Sequence, residues 1–229
     1  MQQLGRSYAT AMYHLYYGMV DLPKGKMKSR EGTVVDADQL IETMTKTAAR
    51  HTQELGKIAG FTEEEAQQLY HMLAMGALKY FLLRVEAKKR LLFDPQASID
   101  FQGHTGPFIQ YTYARIAAIL RNAKQADITY EDTLLDPKLY LQPIERELVL
   151  LLHKFPKKLQ EAAEAYSLAI IAQYAFELAK TYNRFYTEVP ILHEEAVALK
   201  ALRVYLSATV AYMLQHSMRL LGIKVPTRM

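Results

Sequence analysis

Cysteine is absent from this 229-residue chain. Its absence excludes a disulfide scaffold, a thiolate nucleophile and any thiolate metal site, and it fits a reducing compartment, so a cytoplasmic location is expected. Long apolar runs are missing as well: the longest aliphatic stretch, residues 148–152, is far shorter than the roughly 20 residues a helical membrane span requires. The opening MQQLGRSYAT has neither the basic nor the apolar region of a signal peptide, and no membrane partner is expected. Serines are few, and neither a Gly-x-Ser-x-Gly elbow nor a Walker-type phosphate loop occurs, which removes the common hydrolase and NTPase readings. The seven histidines, His14, His51, His71, His104, His153, His193 and His216, never fall at metal-ligand spacing, so no metal site is expected.

Half of the residues are hydrophobic, enough for one good core or two small ones. A formal charge of +4 and a pI near 9.0 permit a nucleic-acid partner without demanding one. The distribution of the charge is more telling. Residues 22–35, LPKGKMKSREGTVV, place Lys24, Lys26, Lys28 and Arg30 in a stretch with no hydrophobic period. Gly25 and Gly32 free the backbone, and Val34 and Val35 re-anchor it. Such a loop is either a solvated basic turn or a mobile clamp whose cations stabilise charge developing on a transferring phosphate.

The elements around it follow from periodicity. Residues 13–22 are aromatic and partly alternating and stop at Pro23, as a strand running into a loop does. Asp36 or Asp38 caps a helix carrying Leu40, Ile41, Met44, Ala48 and Leu55, with Gly60 beyond its end. Thr62 and Glu65 form a capping box for a second helix with the buried stripe Ala66, Leu69, Leu73 and Ala77. Residues 79–103 read as extended and irregular, with a basic turn at Lys88, Lys89 and Arg90, and the domain joint is placed there. Thr105 caps a further helix with Pro107 in its first turn and Ile109, Thr112, Tyr113, Ile116, Ala117 and Leu120 inward. Segments near 143–154, 157–164, 167–187 and 193–222, separated by Pro156 and Pro190, complete an antiparallel helical bundle. Residues 222–229 read as a tail folding back, or more plainly as a frayed end.

Sixteen tyrosines are the other unusual feature. Tyr111 lies on the flank opposite Tyr113, one turn from Arg115, and an aromatic ring beside a guanidinium can stack an unpaired base. The plainer reading, a ring in the bundle with its hydroxyl in water, applies equally to Tyr111 and is preferred for Tyr80, Tyr166 and Tyr174. Lys154, Lys157, Lys158, Lys224 and Arg228 are available to phosphates or simply solvated.

Lys26-Met27-Lys28-Ser29-Arg30 resembles the Lys-Met-Ser-Lys-Ser signature of class I aminoacyl-tRNA synthetases, and its surroundings resemble bacterial arginyl-tRNA synthetases. The run Tyr17-Gly18-Met19-Val20, the stretch IDFQGHTGPFIQYTYARI at 99–116 and the ending GIKVPTRM at 222–229 resemble that family in the same order, so the likeness covers the whole chain. It implies a mainly α protein: a helical anticodon-binding domain at 101–229, preceded by a remnant of an α/β nucleotide-binding catalytic domain at 1–100. It implies ATP with Mg2+ as the intact enzyme's cofactor, Lys26 and Lys28 as catalytic cations, and Gly18, Met19, Val20, Met27 and Ser29 beside the nucleotide. It further implies an arginine-specific tRNA, not DNA, as partner, met by Tyr111, Arg115 and Met229. Ser29 stands where the signature has its second lysine, and Lys28 where it has its first serine.

The family's His-Ile-Gly-His signature and amino-acid pocket have no counterpart here. Gly103-His104-Thr105-Gly106 lies on the far side of the loop and reads as a turn and helix cap. The resemblance is therefore to the C-terminal portion of an arginine–tRNA ligase. Its missing N-terminal catalytic half is an expected partner, and by itself the chain is expected to be inactive and to hold no nucleotide tightly. A noncatalytic helical RNA-binding or protein-interaction module derived from that family is the alternative.

Overall fold

The computed structural model describes residues 2–21, 36–56, 58–130 and 139–229. Among them are seven α-helices, two short 3-10 turns at Gln2–Leu4 and Ser7–Ala11, and one two-stranded parallel sheet. Of the strand expected over 13–22, only β1 (Val20–Asp21) pairs, with β2 (Leu91–Leu92). The sequence alternation is sound, but no third strand is present among the described residues to extend the ladder.

α1 (Ala37–Glu54) starts as its sequence dictates: the Asp36 carboxylate accepts the Asp38 amide at 3.0 Å. It stops at Glu54, earlier than expected, because Gly56 takes a φ of +63° and turns the chain out; Leu55 is left exposed. α2 (Glu63–Leu83) opens on the complete capping box, with Glu65 N donating to Thr62 Oγ1 at 3.2 Å and Thr62 N donating to the Glu65 carboxylate at 2.8 Å. The helix runs through residues 79–83, which the periodicity assigned to extended chain. The added turn buries Tyr80 and Phe81 in two different cores, a tertiary gain that local patterning does not register.

The first core joins α1 and α2 to Phe93, Ile99 and Phe101 around the short α3 (Pro95–Ser98). The second is the bundle of α4 (Gly106–Gln125), α5 (Pro143–Glu164), α6 (Ala169–Glu188) and α7 (Val197–Leu220). Pro156 does not divide α5 as expected. It sits on the exposed face, between the buried Phe155 and Ala162 of one continuous apolar stripe, and packing on both sides outweighs the lost backbone donor. Among the described residues only α7 is long and apolar enough to cross a membrane, and it packs against α4 and α6.

Two contacts set the frame. Gly106 at the start of α4 meets the Gly76 backbone of α2, where no side chain fits, and a Cβ on Gly76 would lie 2.4 Å from the Gln110 side chain and displace it. In the bundle, Arg203 is 3% exposed; it donates to Glu145 Oε1 at 2.7 Å and to the Pro190 carbonyl at 2.8 Å, and it pairs with Glu194. One guanidinium thus ties α7 to the start of α5 and to the α6–α7 connection.

Candidate nucleic-acid interface

α4 carries the candidate face. Thr105 caps it by accepting the Phe108 amide at 3.2 Å, and Pro107 fits the first turn, where no backbone donor is needed. Tyr111 and Arg115 then stand one turn apart on one flank. The Tyr111 ring is half-buried against the first core and lies edge-on to Phe101, with centroids 6.4 Å apart. The Arg115 guanidinium lies 4.9 Å from the Tyr111 ring centre and 4.7 Å from that of Tyr186 on α6, so it is held between two aromatic rings.

Arg115 is also bound by Asn183, whose side-chain Oδ1 accepts from it; the Asn183 side-chain amide nitrogen in turn donates to Thr112 Oγ1 at 2.7 Å. A cation held in this way presents charge and π surface without further ordering, which suits a phosphate or an unstacked base. Tyr186, 44% exposed, joins Tyr111 and Arg115 from α6 and is not among the residues the sequence singles out. Its spacing of three residues from Asn183 puts the two side chains on one flank of α6.

The tail is not frayed. Gly222, at φ +67°, turns the chain after α7, and the Ile223 amide closes the helix on the Met218 carbonyl at 2.9 Å. Lys79 donates to the Gly222 carbonyl at 2.7 Å, Gln110 to that of Lys224 at 2.8 Å and Arg121 to that of Thr227 at 2.8 Å. Arg228 donates to the Gly60 carbonyl at 3.0 Å and lies 3.9 Å over the Phe61 ring. Met229 is thereby brought, half-buried, onto the same first core that supports Tyr111.

Gly18, Met19 and Val20 run alongside the turn after α2. Gly18 N donates to the Ala87 carbonyl at 2.6 Å, and a Cβ there would lie 2.4 Å from the Lys89 carbonyl oxygen. Val20 packs on the first core while Met19 is exposed. Lys26, Met27, Lys28 and Ser29 lie outside the described residues.

The remaining tyrosines divide. Tyr80 and Tyr174 are core residues, but the Tyr80 hydroxyl donates to the Ala172 carbonyl at 2.9 Å inside the bundle instead of reaching water, and burial raises its pKa well above the ordinary value. Tyr166, expected in the bundle, stands on the surface because it occupies the turn that ends α5. His104 is no catalytic signature: its ring packs 3.9 Å from that of Phe176, and its carbonyl accepts from Arg84.

Comparison with known proteins agrees with this architecture. An arginine–tRNA ligase of Amoebophilus asiaticus is 64% identical over the whole chain, and one of Bacteroides thetaiotaomicron is 48% identical. In both cases the chain spans 38% of the relative's length. Among solved structures, Thermus thermophilus arginyl-tRNA synthetase superposes with a TM-score of 0.81 at 30% identity over 94% of this chain and 35% of its own. Plasmodium falciparum arginyl-tRNA synthetase does so with a TM-score of 0.74 at 25% identity, covering the same shares. The fold is thus that of the helical bundle of class I aminoacyl-tRNA synthetases. The chain belongs to the DALR anticodon binding domain family, whose profile matches residues 109–229, and it corresponds to the C-terminal part of the arginine–tRNA ligases it resembles.

Proposed function

We propose that this chain is the tRNA-recognising part of an enzyme that joins arginine to its tRNA at the expense of ATP. The observation that carries the reading is the Arg115 guanidinium held between Tyr111 and Tyr186 on a partly open face of an anticodon-binding-family bundle. Tyr111, Arg115, Tyr186 and Met229 meet the anticodon loop, by stacking on unpaired bases and by charge on the adjacent phosphates. The unit at 101–229 does this work, and the unit at 1–100 belongs to the catalytic end.

At that end, the backbone of Gly18, Met19 and Val20 lies beside the adenine of ATP. Lys26 and Lys28 act on its phosphates, with Met27 and Ser29 shaping the loop. Mg2+ accompanies the ATP phosphates in the intact enzyme. The rest of the ligase covers the N-terminal segment, where Leu4, Met12, Leu15, Tyr17 and Met19 are exposed, an apolar surface suited to a protein neighbour. The reaction belongs to the cytoplasm.

Equilibrium titration of labelled arginine tRNA, with a tRNA of another anticodon as competitor, tests the reading. Preferential binding of the arginine tRNA supports it. Equal binding of both would leave only the nonspecific attraction of a basic module.

A further inference from the structure

Tyr166 follows α5 with a φ of +49°, in the left-handed region where this chain elsewhere places glycines such as Gly56, Gly60 and Gly222. The helix closes there through Tyr166 N on the Ala163 carbonyl and Ser167 N on that of Ala162. A glycine would satisfy that turn without the steric cost of a Cβ. The side chain retained at the position stacks on Tyr13, centroids 4.2 Å apart and planes within 11° of parallel.

Neither ring is a core residue: Tyr166 is 57% and Tyr13 47% exposed. Beside them lies a cleft of about 490 Å³ lined by Leu15, Lys88, Lys158, Ile170 and Tyr174. The stack therefore spans a gap between the bundle and the N-terminal segment. That segment is anchored again a few residues on, where Gly18 N donates to Ala87 O at 2.6 Å, Leu91 N to Met19 O at 2.9 Å and Phe93 N to Asp21 O at 2.8 Å. Residues 14–17, between the two anchors, are exposed.

We propose that Tyr166 is a positioning residue: by holding Tyr13 it sets, from the helical domain, the path on which Gly18, Met19 and Val20 reach the nucleotide. This rests on the reading that their backbone lies beside the adenine. The stack requires the ring and not the hydroxyl, and the left-handed turn accepts glycine, so two substitutions separate positioning from stability. Tyr166→Gly deletes the ring while suiting the turn, and Tyr166→Phe keeps the ring.

In the 229-residue chain, Tyr166→Gly is expected to speed amide exchange at Gly18, Leu91 and Phe93 about tenfold at an unchanged thermal midpoint. Tyr166→Phe is expected to exchange like the wild type. In the intact ligase containing this chain, Tyr166→Gly is expected to raise the ATP KM about fivefold while tRNA Kd stays within about twofold, with Tyr166→Phe again normal. Unchanged exchange, or an unchanged ATP KM in an active ligase, overturns the proposal. A fall in thermal midpoint with ATP and tRNA affinities weakened together overturns it in favour of a merely structural contact. An intact ligase with no ATP-dependent arginylation refutes the nucleotide reading instead, and the exchange measurement alone then decides whether Tyr166 holds the segment.

Discussion

A methyl group on Gly106 would lie 2.2 Å from the Gly76 carbonyl oxygen. The obstacle is backbone, so it cannot rotate away. Gly106→Ala is expected to push α4 off α2 and to destabilise the protein by about 1–3 kcal/mol, the usual cost of overpacking a tight contact. Urea denaturation measures this, and a loss below about 0.5 kcal/mol would mean that the two helices are not pinned here.

Arg203 and Glu145 are 3% and 1% exposed, and removing one partner of a buried pair strands the other's charge. Arg203→Ala is expected to cost about 3–5 kcal/mol, while a joint replacement of Arg203, Glu145 and Glu194 by apolar residues of similar volume is expected to cost less. The comparison by denaturant unfolding is the check, since a larger loss in the triple variant would contradict it.

His104 gives the fold a pH dependence of known sign. Its Nε2 is buried without a partner among the described residues. Burial first, and then the Arg84 charge, hold its pKa below the ordinary value, against a smaller opposing pull from Glu177. The unfolded chain takes up the proton near pH 6.5, and the folded one only at lower pH. The stability this histidine provides is therefore complete above about pH 6.5 and lost as pH falls toward the folded value. Thermal midpoints measured from pH 7.5 to 5.5 are expected to fall more steeply for the wild type than for His104→Phe; parallel curves would contradict this.

The two kinds of proposed RNA contact should separate by salt. Tyr186→Ala and Tyr111→Ala are expected to weaken tRNA binding by about 1–3 kcal/mol at every ionic strength, because stacking releases no counterion. Arg115→Gln is expected to reduce the logarithmic salt slope by a little under one unit in addition. Titrations at several salt concentrations check this, and an altered slope in the tyrosine variants would contradict the stacking assignment.

Much of this architecture is written locally. Of the two caps open for α1, Asp36 or Asp38, it is Asp36 that serves, and the Thr62–Glu65 box and the Thr105-Gly106-Pro107 start are each specified within four residues and occur as read. So does the pairing of Tyr111 with Arg115, which needs only the helical period. The features that were illegible depend on distant partners. α2 continues through Tyr80 because α6 supplies a carbonyl acceptor, Pro156 is tolerated because the bundle packs on both sides of it, and Tyr186 joins Arg115 from another helix. The tail is held by Lys79, Gln110 and Arg121, none of which is near it in sequence.

A nuclease footprint of this chain on arginine tRNA tests the anticodon assignment directly. Protection is expected over the anticodon loop and its flanking stem, lost in Tyr111→Ala and Tyr186→Ala, with the acceptor end left open to cleavage. Protection spread evenly along the tRNA, or confined to the acceptor end, would contradict the assignment of the Tyr111–Arg115–Tyr186 face to the anticodon.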